Sequence, residues 1–202
     1  LRRADTLPAD LPPDFIDWVQ TEAAHAALAL RRTDDARSRL RARLWREKQV
    51  PALARHWRQL LIQSYLIDDN IDDALRALRR YREEYRENGD DWRVLEAATL
   101  LRARRDAAAL DVLTGVDTHE GRLLRLLAQL HAGKAAPARV LEDATQLAGK
   151  LRLKPTLQRQ AWLIANEAAL RAGNAERRLA ALEAVFSIEP EPVYTARLFP
   201  AN

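Results

Sequence analysis

In the stretch SYLIDDNIDDALRAL (residues 64–78), Asp68, Asn70 and Asp72 repeat the D-x-N-x-D spacing that opens a calcium-binding loop. The spacing suits a hard cation, because alternate side-chain oxygens converge on one point as the chain curls. Such a loop also needs glycine at its sixth position and a bidentate Glu at its twelfth, where this chain has Asp73 and Arg79. Ile71, Ala74, Leu75 and Leu78 already follow helical spacing, which would turn the second half of the loop into helix. The stretch is therefore expected to be a turn between helices. Asp69 or Asn70 would cap the second helix, with Asp72 and Asp73 in its first turn, where the helix dipole favours negative charge.

The other reactive residue types form no constellation. His25, His56, His119 and His131 show no H-E-x-x-H pair or other ligand spacing, so each is expected on the surface or in packing. Cysteine is absent, which excludes disulfides, thiolate catalysis and cysteine-based zinc sites. The six glycines make no phosphate loop; Gly89, Gly133 and Gly173 fall where helices are expected to end, as C-caps. Carboxylate pairs abound, all on charged helix surfaces. No catalytic residue, metal site or cofactor is expected.

Charge points the same way. The 202 residues carry 33 basic and 29 acidic side chains, a net +4, with the signs interspersed rather than gathered in a stripe. A nucleic-acid partner is therefore not expected. No apolar run approaches the roughly 20 residues that span a bilayer. Methionine is also absent. The expectation is a chain that starts inside a longer protein, after a removed signal peptide or at a boundary chosen for expression.

The elements that must position these residues are helical. Strand-like alternation is missing, whereas Leu53, Trp57, Leu60, Leu61, Ser64 and Tyr65 mark one helix face, with Ile62 and Leu66 adding a second. Breaks at Pro13, Thr33, Pro51, Asn70, Gly89, Gly115, Gly133, Pro137, Pro155 and Gly173 divide the chain. Helices are expected over 14–31, 34–48, 51–68, 70–87, 90–104, 106–114, 118–132, 136–151, 155–172 and 174–188. Paired, they predict an all-α, right-handed α-solenoid of about five helical hairpins repeating every ~35–40 residues. A single helical-repeat domain would fill residues 1–202: an extended lead-in over 1–13, hairpins over 14–190, and a tail over 191–202 leading to a further domain. Trp57, Leu61, Tyr65, Leu78, Trp162 and Leu182 are the expected packing positions.

In QAWLIANEAALRAGNAERRLAALEAVFSIEP, Trp162, Gly173 and Pro190 stand at the Trp, Gly and Pro positions of a tetratricopeptide repeat, and Leu182 fills its large apolar slot. Arg178, where the repeat has Ala, is a departure. Leu61, Tyr65, Ala74 and Leu78 fit the same frame, with Trp57 one place early. The chain thus resembles tetratricopeptide-type repeats in two hairpins and in the others by length alone. The run WREKQVPALARHWRQLLIQSYLIDDNIDDALRALRRYREEY, with EGRLLRLLAQLHAG and the final ARLFP, also resembles the helical region preceding the catalytic domain of bacterial soluble lytic murein transglycosylases. That resemblance implies a curved periplasmic superhelix. The family's activity lies in a lysozyme-like domain that uses a Glu followed by Ser. No Glu-Ser pair occurs here, so the activity does not carry over to these residues.

What the resemblances imply is a non-catalytic scaffold that positions a peptidoglycan strand or a protein or peptide partner. A free-standing tetratricopeptide adaptor is the alternative, and an all-α enzyme built on scattered carboxylates a third reading. Neither the partner nor the oligomeric state can be read from the residues. In tetratricopeptide repeats the first helix of each hairpin lines the concave face. Matched positions there are His56, Gln59, Gln63 and Ile67, then Gln160, Glu167 and Arg171. The competing reading of the same seven is that they are solvated or inter-repeat residues.

Overall fold

The computed structural model describes residue 8, residues 11–46 and residues 50–188. Among them lie ten α-helices and no strand. They fall into two compact units, one ending at Glu87 and the other beginning at Asn88. The first unit holds α1 (Pro13–Ala29), α2 (Thr33–Leu44), α3 (Pro51–Ile67) and α4 (Ile71–Tyr85). The second holds α5 (Asp90–Arg102), α6 (Asp106–Val112), α7 (His119–His131), α8 (Pro137–Lys150), α9 (Pro155–Arg171) and α10 (Ala175–Ser187). Pro190, the ARLFP segment and the tail over 191–202 lie outside the described residues.

Helix starts follow simple chemistry. α1, α3, α8 and α9 open on a proline, whose missing N–H costs nothing in the first turn. Asn70, Thr118 and Asn174 accept from the backbone N–H of Asp73, Gly121 and Arg177. Helix ends repeat one device. After α1, α3, α5, α7 and α9 a single residue turns left-handed: Arg31, Asp69, Arg104, Gly133 and Gly173, with φ from 55° to 68°. Each of the five donates to a carbonyl three residues back, and its successor to one five back, as Asp69→Leu66 at 3.1 Å and Asn70→Tyr65 at 2.9 Å. This pairing satisfies the orphan carbonyls and reverses the chain tightly. Gly89 does something else: it is the N-cap of α5, while Arg86 ends α4 in the left-handed region. The expected C-cap at Gly89 is thus corrected, because the chain needs extended backbone there to start a helix.

Packing alternates. α1 meets α2 and α3 in the first unit, and α2 and α4 each pack on α3. In the second, α7 touches both α5 and α9, whereas α6, α8 and α10 touch only odd-numbered helices. Within each unit the odd helices therefore form one layer and the even helices another. The first core gathers Ala24, Ala27, Leu40, Trp57, Leu60 and Leu61. Ile62 and Leu66 are buried as well, so α3 has two apolar faces because it sits between neighbours. The second unit closes around Val140, Ala144, Leu151, Ala161, Ala165 and Ala168, the alanines allowing α8 and α9 to approach closely. Trp162 packs on its edge, half-buried, and Leu182 is half-buried beside the buried Ala181. Trp92, absent from the expected packing positions, is fully enclosed in α5.

Candidate functional site

The D-x-N-x-D residues are occupied in holding the α3–α4 turn. Asp68 takes a hydrogen bond from Thr33 Oγ1 to Oδ1 at 2.8 Å and one from Arg37 Nη1 to Oδ2 at 2.6 Å, tying α2 to the end of α3. Asp69 is the left-handed residue and Asn70 the α4 cap. Asp72 points to solvent from the first turn. Asp73 pairs with Arg76, and that hydrogen bond, then one from Asn70, holds its carboxyl below the usual range.

The seven sequence-predicted binding residues lie on odd helices. His56, Gln59, Gln63 and Ile67 recur on one face of α3, as Gln160, Glu167 and Arg171 do on α9. The two sets belong to different units, so each is a site by itself. Gln59 and Gln63 are half-buried, and Ile67 packs against the first core while its carbonyl accepts from Arg31 Nη2 at 2.9 Å. His56 Nε2 lies 3.1 Å from Nε2 of the buried His25 on α1, the rings meeting edge to face. Glu22 stands 3.5 Å from the other nitrogen of His25. One turn earlier on α1, Thr21 Oγ1 accepts from Trp57 Nε1 at 2.8 Å and donates to the Asp17 carbonyl at 2.7 Å. A polar seam thus runs between α1 and α3 beside the apolar core.

The second unit has a counterpart between α7 and α9. Glu167 Oε1 meets His131 Nε2 at 2.9 Å and accepts from Arg171 Nη2 at 2.6 Å. Arg171 Nη1 donates to the Leu130 carbonyl at 2.9 Å, in the last turn of α7, where a cation complements the helix dipole. On the far side of the ring, His131 Nδ1 lies 3.5 Å from Asp106 Oδ1, and both atoms are buried with no hydrogen-bond partner. Gln160 is 9 % exposed, and its Oε1 is likewise buried without a partner.

Chemically, the cluster is an acid–imidazole–acid chain from three helices. Glu167 is engaged by His131 of the neighbouring α7 and by Arg171 one turn along its own helix. The arrangement ties layers together. Sequence reasoning placed Glu167 and Arg171 and missed His131 and Asp106. The available signal was distance along the chain: His25 to His56 spans 31 residues, and His131 to Glu167 spans 36, each about one repeat. Compared with protein-family models, curated proteins and solved structures, the chain matches none.

Proposed function

We propose that this chain is a non-catalytic helical-repeat domain, an α-solenoid of five hairpins that serves as the superhelical part of a periplasmic cell-wall lytic transglycosylase and positions peptidoglycan or a protein partner. The observation that carries the reading is the recurrence of one turn after α1, α3, α5, α7 and α9, with the same two backbone hydrogen bonds each time. A turn repeated at one-hairpin intervals, with odd helices touching odd helices within each unit, supports a reading as stacked hairpins. Within each unit such stacking offers an open helix layer, which suits holding rather than reacting.

The absence of a reaction in this reading rests on how the carboxylates are used. A general acid needs a positioned carboxyl beside open substrate space. Glu167 is spent on His131 and Arg171, and Asp17 on Arg43 and Arg46. The half-buried amides of Gln59 and Gln63 supply paired donors and acceptors for a neutral polar ligand on the odd-helix layer. No helix among the described residues is long and apolar enough to cross a membrane.

The gene beyond Asn202 tests this directly. A downstream lysozyme-like domain with its Glu-Ser pair supports the transglycosylase reading. A coding sequence that holds only further helical hairpins favours the tetratricopeptide adaptor instead.

A further inference from the structure

The even-helix layer of the first unit carries a groove of about 340 Å³ between α2 and α4, with α3 beneath. Its floor is apolar, from Leu44, Leu61 and Ala77. Trp45, the cap residue of α2, stands at the rim and is 82 % exposed, although a tryptophan there forfeits its burial. On the opposite rim Tyr85 lies under Arg58, whose guanidinium carbon is 3.7 Å from the ring centroid.

The charge of the groove is lopsided. Four arginines (41, 58, 76 and 80) line it against two carboxylates, Asp73 and Glu84. Those carboxylates are already taken by Arg76 and Arg80 on the outer edge. Arg58 is buried and answers Glu87 at 3.1 Å. Arg41 is different: its Nη2 donates to Tyr65 Oη at 2.9 Å, and no carboxylate among the described residues pairs with it. An exposed guanidinium fixed by a phenol, next to an exposed indole over an apolar floor, is a receptor for a ligand with an anion beside an apolar group.

The donor balance narrows the ligand further. Guanidinium groups only donate, and the lining holds no side-chain amide. Of the acceptors it does hold, Asp73 and Glu84 are engaged by Arg76 and Arg80 and Tyr65 by Arg41, so a neutral sugar, whose hydroxyls must also donate, is poorly matched. A nucleic acid needs a track of cations along several phosphates, whereas three of the four arginines here are answered by Asp73, Glu84 and Glu87, which leaves Arg41 alone without a carboxylate. The α4 lining runs from Asp73 to Tyr85, about 18 Å along the helix, room for roughly five extended residues. We infer that the α2–α4 groove docks an acidic peptide segment of a partner protein, an aromatic or aliphatic side chain resting on Trp45 and the Leu44–Leu61 floor while a neighbouring carboxylate takes Arg41.

This site lies on the opposite helix layer from the glutamines of α3 and stands whatever the odd-helix layer binds. The test is selection of seven-residue phage-displayed peptides on the purified chain of residues 1–202. The expected winners carry Asp or Glu next to Phe, Trp or Leu. A labelled synthetic copy should lose about tenfold affinity or more in Arg41→Ala and in Trp45→Ala, and similarly when its own acids become amides. Both side chains are exposed at the groove rim, so circular dichroism should be unchanged; if one variant misfolds, the other decides. Selection of basic or neutral peptides, no selection, affinity indifferent to the properly folded variants, or displacement of the peptide by equimolar oligothymidylate would overturn the inference.

Discussion

Trp57 is the side chain on which the first unit turns, and replacing it with alanine has a cost that can be worked out. It is 1 % exposed, in the core with Ala24, Leu40 and Leu61, and its indole N–H is satisfied by Thr21. A tryptophan buries about 200 Å², which at ~25 cal/mol per Å² is roughly 5 kcal/mol of transfer free energy. Alanine keeps part of this, and the neighbours collapse only partly into the void. The expected loss is about 3–5 kcal/mol. For a unit of this size that lowers its melting temperature by on the order of 15–30 °C. Trp57→Phe separates packing from hydrogen bonding: it retains most of the apolar bulk, and Thr21 still donates to Asp17, so a loss of about 1–2 kcal/mol is expected. Trp45→Ala, on an exposed rim, should stay within about 0.5 kcal/mol of wild type. Urea titration followed by circular dichroism measures all three. A Trp57→Ala loss below ~1 kcal/mol, or a Trp45→Ala loss as large as that of Trp57→Ala, would refute the packing argument.

Calcium at millimolar concentration is expected to leave the melting temperature unchanged, because Asp68 is already engaged by Thr33 and Arg37; a bound ion at a hundred times its dissociation constant would add about 2.7 kcal/mol, and a rise abolished by Asp68→Ala would reverse the assignment. Asn70→Ala should cost about 1 kcal/mol by removing the α4 cap, measurable by the same titration. Asp73 has a folded-state value depressed by Arg76 and Asn70, so its contribution is present above the unfolded carboxylate range near pH 4 and is lost as pH falls through the depressed value; Asp73→Asn should flatten that acid limb of the stability profile. Gln59→Ala combined with Gln63→Ala should weaken a ligand of the odd-helix layer by about 1–3 kcal/mol while leaving the melting temperature nearly unchanged, as calorimetry and thermal melts would show.

Helix positions were legible because proline, asparagine and periodic leucine act locally. The expected 51–68 and 155–172 became Pro51–Ile67 and Pro155–Arg171. The second helix ran short of its expected end at 48, stopping at Leu44 with Trp45 as the cap. The turns were half legible. Gly133 and Gly173 announce a left-handed residue, but Arg31, Asp69 and Arg104 adopt the same conformation with a side chain that prefers otherwise. Only the two hydrogen bonds closing each turn make those three visible. Tyr85 continues the helical spacing of Ile71, Ala74 and Leu78, yet it is 51 % exposed, drawn to the Arg58 guanidinium instead. The polar seams were the least legible part. His25 with His56, and His131 with Glu167, meet only when helices a repeat apart come into register, which no local pattern encodes.

The central claim is a scaffold that holds the cell wall or its partner and does not cut. Incubating purified residues 1–202 with peptidoglycan sacculi, then assaying the pellet for protein and the supernatant for soluble muropeptides, puts both halves of it to one measurement. The account predicts protein retained in the pellet and no muropeptides above the buffer control. Muropeptide release abolished by changing one carboxylate such as Glu167→Gln would contradict it, and protein left wholly in the supernatant would rule out peptidoglycan as what the chain holds.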